Sequence, residues 1–246
     1  MTSHRLATTA EHVRRIAGSA WRFRCGVEQV AALRFTRLAE RLASVGAAGA
    51  VVELALRASR DERRHAALCA ELAARYAAPA PAAAATSPAE IAPSSLAREQ
   101  QVLYEVVAAC CVTETESVGV LTHLLAAVRD ARLRAVLREL ARDEVHHSRL
   151  GWAHLASERA RGDVSFLGPL VPAMLRGATD TELFAPVPAE YDDGALLEHG
   201  VLPHRMKRQV FARTLEEVVF PGLEAYGVDT VPARRWLGAQ SGGAVG

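Results

Sequence analysis

Asp61-Glu62-Arg63-Arg64-His65 and Asp143-Glu144-Val145-His146-His147 are the two stretches on which the reading of this chain turns. Each sets a Glu three residues ahead of a His, so on a helix both side chains leave one face about one turn apart. The residues around them extend that face in both directions at three- and four-residue steps. Around the first copy run Val51, Ala55, Ala58, Glu62, His65, Cys69 and Leu72; around the second run Leu133, Leu137, Leu140, Glu144, His147, Gly151 and His154. Such stripes are the buried sides of amphipathic helices. A Glu or His within one must be neutralised, paired or bound to metal, because an isolated buried charge is very costly.

Two more carboxylates interrupt apolar stripes upstream of each motif. A helix from about Ser19 to Ala43 carries Trp21, Cys25, Glu28, Ala32, Phe35 and Leu42 on one side. Another from Ala97 to Val128 carries Leu103, Val107, Cys110, Glu114, Val118, Leu121 and Leu125. Turns at Ser44–Gly49 and Arg129–Ala131 fold these segments back onto the motif helices. Glu28 then comes level with Glu62 and His65, and Glu114 with Glu144 and His147. Glu116, about 200° around the helix from Glu114, is assigned to the outside.

The set Glu28, Glu62, His65, Glu114, Glu144 and His147 resembles the ligand set of the ferritin-like di-iron carboxylate proteins, in which two helices give a Glu each and two give Glu-x-x-His. The resemblance covers roughly residues 19–158. It implies an all-α fold: a ferritin-like four-helix bundle of two antiparallel hairpins joined by a long crossover. It also implies a cofactor of two Fe ions, with Mn or a mixed Mn/Fe pair as variants, and with Glu114 or Glu62 bridging. Asp-Glu-x-Arg-His is similar to the motif of bacterial multicomponent monooxygenases, where the Asp orients a ligand histidine on the partner helix. By that likeness Asp61 would hold His147 and Asp143 would hold His65. The second copy departs from the pattern in having His146 where the first has Arg64.

The resemblance also sorts reaction types. Cys69 stands where ribonucleotide reductase small subunits carry a radical tyrosine, and methane-monooxygenase-like hydroxylases also have Cys there. The extra Glu and the Cys-x-x-Cys pairs of rubrerythrins are missing. The implied activity is O2-dependent oxidation of a small organic substrate, with electrons from an external donor. Alternatives are a ferroxidase or metal-storing protein, a tRNA-modifying hydroxylase using a groove of Arg14, Arg15, Arg22 and Arg24, and a metal-free bundle.

One turn past the metal level the stripes carry small residues, Cys25, Cys69, Cys110 and Gly151, followed by Trp21, Leu72, Val107 and His154. Placed together on the side away from the hairpins, they form an expected substrate pocket of Trp21, Cys25, Cys69, Cys110, Gly151 and His154, or else a zone of tight helix approach. Phe35, Leu121 and Leu140 would close the other side.

Length and composition bound the remainder. The chain has 246 residues, half of them apolar, and a formal net charge of +1. That charge gives no general drive toward nucleic acid or membranes. No window is long and apolar enough for a membrane span and no secretory signal is seen, so a cytoplasmic location is expected. Cys25, Cys69, Cys110 and Cys111 lack zinc-like spacing and read as reduced thiols. Residues 1–160 form the expected bundle, with a Pro/Ala-rich crossover at 77–95 long enough to make the second and third helices parallel. Ser94 or Ser95 is the expected cap of the third helix. Residues 161–246 read as a helical extension, either a cap or homodimer surface or a lid over the open end. Within it a helix from Pro203 to Phe220 carries Val210, Thr214, Glu217 and Val218 on one edge, so its expected burial is only partial, and Pro221-Gly222 ends it.

Overall fold

The structure, a computed structural model, describes residues 2–78, 90–178 and 194–242. Within these residues every regular element is helical. Helices α1 (Thr2–Ser44) and α2 (Gly49–Ala74) make the first hairpin. Helix α3 (Arg98–Val106), a π-helical segment (Val107–Glu114) and α4 (Thr115–Ala127) form one continuous rod, which turns back into α5 (Ala131–Arg161). α1 starts well before the expected Ser19 because Val13 and Ala17 prolong its buried stripe. The first turn uses Gly46 at φ +70°, a left-handed conformation that glycine adopts without a Cβ penalty. Asp130 caps α5 by accepting from the Leu133 amide at 2.7 Å. The α3 cap is not Ser94 or Ser95: the Gln100 side chain reaches back to accept from the Ala97 amide at 3.2 Å.

Cross-helix bonds fix the directions of the four rods. Arg24 reaches Ser117 while Arg41 reaches Glu105 and Gln101, so α1 runs antiparallel to α3–α4. Asp61 faces His147, His65 faces Asp143 and Glu71 faces Arg132, so α2 runs antiparallel to α5. α2 and α3 are therefore parallel, as a long crossover requires. The middle of that crossover, residues 79–89 with Pro79, Pro81 and Pro88, lies outside the described residues.

Parallel α2 and α3 put the two hairpin turns at opposite ends of the bundle, which corrects the expected pocket. Cys25 and Cys69 lie toward the α4–α5 turn, in one cluster with Trp21, Leu72, Leu121 and Leu140. Cys110 lies toward the α1–α2 turn, clustered with Phe35, Leu38 and Leu150, and Gly151 packs against it. The four small residues are not one layer, and there is no end free of hairpins. Val107 belongs to a third cluster and His154 is buried on α5.

That third cluster is where the C-terminal extension docks. A 3-10 turn (Ser165–Leu170), α6 (Val171–Ala178), α7 (Ala195–Glu198), α8 (His204–Thr214), a second π segment (Leu215–Val219), α9 (Phe220–Ala225) and α10 (Val231–Gly242) follow the bundle. Leu167, Val171, Leu175, Phe211, Leu215, Val219, Phe220 and Leu237 bury against Leu103, Tyr104, Val107, Cys111 and Val112. Most of the segment thus lies along the flank of the α3–α4 rod, while Leu197, Val201, Leu202 and Val210 pack with Trp21 and Leu133 toward the α4–α5 turn. The expected stripe of its main helix is displaced in part. Val210 and Thr214 are buried as expected, together with Phe211, but in the π segment it is Leu215 and Val219 that turn inward, leaving Glu217 and Val218 exposed. Pro221 does not end the helix, because it falls in the first turn of α9, just after a π turn has already shifted the hydrogen-bond ladder. Pro186 and Pro188 lie outside the described residues.

Gly151 allows the close approach of α5 to the π segment. A Cβ there would sit 2.7 Å from Cys110 Cβ, 2.7 Å from Cys111 Sγ and 2.8 Å from the Cys111 amide nitrogen. The small residue marks helix contact and leaves no substrate space. Gly151→Ala is expected to destabilise the fold by about 1–3 kcal/mol through overpacking, and Gly151→Leu by more. Chemical denaturation of both variants checks this; unchanged midpoints would show that the helices have slack at this point.

Candidate metal centre

The six acidic and imidazole side chains singled out in the sequence converge at mid-height in the bundle. Glu28 comes from α1, Glu62 and His65 from α2, Glu114 from the last turn of the π segment, and Glu144 and His147 from α5; all are buried. They form two overlapping groups, Glu28–Glu62–His65–Glu144 and Glu62–Glu114–Glu144–His147. Within each group one donor atom per residue lies within 4.8 Å of the others. Glu62 and Glu144 belong to both groups and occupy the central positions. Of the two residues expected to bridge, Glu62 belongs to both groups and Glu114 to one.

Both imidazoles turn Nδ1 toward the carboxylates. His147 Nδ1 is 2.9 Å from Glu62 Oε1 and 3.0 Å from Glu144 Oε2, and His65 Nδ1 is 3.4 Å from Glu62 Oε2. The opposite nitrogens face outward. His65 Nε2 meets Asp143 Oδ2 at 3.3 Å, and His147 Nε2 lies 3.5 Å from Asp61 Oδ2. Arg64 ties the two aspartates together, with Nη1 3.0 Å from Asp61 Oδ1 and Nη2 2.5 Å from Asp143 Oδ2, while Arg142 Nε donates to Asp143 Oδ1 at 3.0 Å. One arginine on α2 thus serves both copies of the motif, which accounts for His146 where a second Arg64 would stand.

The electrostatics are those of a crowded carboxylate cluster. Burial pushes the Glu28 and Glu114 carboxyls well up, and neighbouring carboxylates add to the effect. Burial alone would lower His147, but its contacts with Glu144 and Glu62 outweigh that and carry it up to about 10. Glu62 is also buried, yet the two imidazoles facing it hold it well below the usual carboxylate range. Protons are therefore what balances the charge. Both Glu62 oxygens and His65 Nδ1 still lack a partner in hydrogen-bonding geometry, despite the short separations. Buried polar atoms orphaned together at one point, from Glu and His side chains, fit divalent first-row metal ions.

Arg24 was not anticipated in this role. It is placed beside the cluster, away from any surface groove with Arg14 and Arg15. Its Nε donates to Glu28 Oε1 at 2.8 Å and its Nη2 to Ser117 Oγ at 3.2 Å, with Glu144 Oε1 3.7 Å away. Ser117 Oγ in turn donates to Glu144 Oε1 at 3.2 Å. The Arg24–Glu28 spacing of four residues was the available signal. Glu116 is half-buried, contrary to its assignment to the outside; burial raises its carboxyl, opposed by Lys207 and Arg24. Cys25, Cys69 and Cys110 are buried thiols, raised first of all by burial and so neutral. Trp21 Nε1 donates to the His199 carbonyl at 2.9 Å, pinning the α7 loop to α1. His154 is buried with Nε2 unpartnered. A cavity of about 600 Å³ lies near the α4–α5 turn, lined by Arg14, Arg75, Arg129, Leu133 and His199 among others, away from the carboxylates.

No family model matches the chain, and no curated relative matches it. Among solved structures it is similar to one described as protein 19 with aldehyde deformylating oxidase activity from Synechococcus. The two share 20% sequence identity with a TM-score of 0.54, over 92% of this chain and 97% of that one. No helix among the described residues is long and apolar enough to cross a membrane. The likeness shows the fold, a ferritin-like helical bundle, with the carboxylate–histidine cluster buried inside it.

Proposed function

We propose that this protein is a non-haem di-iron oxidoreductase that uses O2 to oxidise a small organic substrate, with electrons from an external donor. The observation that carries the reading is the pair of overlapping donor groups centred on Glu62 and Glu144. Glu28 and His65 complete one position, and Glu114 and His147 the other. The Synechococcus neighbour's oxidase activity supports the reaction class.

Two iron ions held there would supply the redox chemistry toward O2. The protein's part is orientation and exclusion. Asp143 accepts from His65 Nε2, which leaves the Nδ1 lone pair directed inward, and Asp61 stands 3.5 Å from His147 Nε2 without a hydrogen bond. Arg64 holds both aspartates from the α2–α5 side. Phe35, Leu121 and Leu140 keep water out above and below. The neighbouring thiols stay protonated and do not compete as ligands.

The overlap of the two groups gives a distinctive expectation. Glu62→Ala or Glu144→Ala removes a donor from both positions and should abolish binding of both ions. His65→Ala or His147→Ala removes one from a single position and should leave one ion per chain. Metal analysis after anaerobic iron reconstitution tests this, and a wild-type protein without bound iron or manganese defeats the reading.

Loading must also displace protons. Glu28 and Glu114 are raised and His147 stands at about 10, so all three favour their protonated forms below those raised values. Ions bind the deprotonated forms, so apparent affinity should rise with pH and fall as pH drops. Calorimetry in buffers of different ionisation heat should show net proton release, and a buffer-independent heat would contradict the assignment. Asp143→Ala, which frees the outer nitrogen of His65, should weaken loading by about 10–100-fold.

A further inference from the structure

A charge count over the proposed centre leaves one cation over. Four ligand carboxylates cancel two divalent ions. Asp61 and Asp143 are matched by Arg64 and Arg142. Glu116 feels both Lys207 and Arg24 and offsets one of those two positive charges, and one of its oxygens is buried without a hydrogen bond. Arg24 remains, hydrogen-bonded to Glu28 and Ser117 and close to Glu144, with its side chain 21% exposed. A positive charge held this far from bulk water calls for an anion.

The same side of the bundle is where the ligands come nearest to solvent. Glu114 is 8% exposed and Glu28 4%, more than the other four, which Arg64 and the α2–α5 interface cover. The edge of α1 next to Arg24 is apolar and open: Phe23 is 62% exposed and Val27 47%. A guanidinium at the metal level beside two exposed apolar side chains matches a molecule with one carboxylate and a hydrocarbon body. Arg is well suited to the first part, because its planar fork pairs with carboxylates.

We infer that substrate enters along the seam between α1 and α4 and is an organic monocarboxylate, its carboxylate on Arg24 and its hydrocarbon against Phe23 and Val27. This rests on the di-iron reading and specifies its substrate class. It also moves the entrance from the ends of the bundle to its side.

Anaerobic calorimetry on the ferrous-loaded protein compares octanoate with 1-octanol, a neutral molecule of matching chain. The metal content of every sample is measured first, so a wild type without iron refutes the di-iron reading and not the substrate class. Octanoate should bind at least ~10-fold more tightly than 1-octanol, the scale of one charge-assisted hydrogen bond. Arg24→Gln should remove that preference, with 1-octanol binding changed by less than about threefold, and Arg24→Lys should keep most of it. Phe23→Ser should weaken both ligands alike. Equal binding of the two by wild type, or an octanoate-to-octanol ratio unchanged in Arg24→Gln, overturns the inference. If Arg24→Gln does not retain iron, the wild-type ratio and the parallel loss in Phe23→Ser decide it.

Discussion

Four carboxylates and two imidazoles brought together inside a helical core set the terms for the rest of this molecule. Like charges so close in a poorly solvated space repel strongly, and no apolar packing offsets the repulsion. The centre needs cations at its heart and counter-charges around it. Without ions, protons on Glu28, Glu114 and His147 take the first role, which is why burial and neighbouring carboxylates raise the one kind of group and short contacts to carboxylates raise the other. Arg64, Arg142 and Arg24 take the second.

Much of this was legible in the sequence because helices repeat. Steps of three and four residues located Glu28, Glu62, His65, Glu114, Glu144 and His147 on apolar stripes, and the two turns set them at one height. The structure brings all six together. The stripe does not say which way a neighbouring stripe runs in space. Cys25 and Cys110 each precede a ligand Glu by three or four residues, so they looked equivalent. They lie on opposite sides of the centre because α1 and α3 run in opposite directions. The parallel arrangement of α2 and α3 had already implied this, and it turns the small residues from a pocket floor into helix contacts such as Gly151 on Cys110.

The π segments were not legible, for a different reason. Residues 107–112 are apolar or small throughout and all buried, so their sequence carries no periodicity to reveal a wider turn. The consequence appears downstream, where Thr115 turns inward to bond Ser148 at 2.7 Å and Val118 leaves the buried stripe. In the C-terminal extension the second π segment does the same, turning Leu215 and Val219 onto the α3–α4 flank alongside Phe211. An α-helical projection of that stretch selects Glu217 and Val218, which are exposed. The burial of a sizeable apolar face on the bundle decides which register wins, and that face is known only once the bundle is built.

The cluster of four Glu and two His has a two-fold repeat, but its surroundings do not. Across the α2–α5 interface the repeat is kept: His65 faces Asp143, His147 faces Asp61, and Arg64 spans both aspartates. Across the other face it is broken at one position. Four residues before Glu28 stands Arg24, and four residues before Glu114 stands Cys110, a buried neutral thiol. One terminal carboxylate therefore has an arginine against it, while its counterpart has the neutral Cys110 thiol at the matching position. The α2–α5 side is latched and closed, so orientation of the histidines is set there. The α1–α4 side carries the unbalanced charge and the thinnest cover, so exchange with the outside is set there. Division of the two tasks between opposite faces follows from two departures from the repeat, Arg64 against His146 on one face and Arg24 against Cys110 on the other.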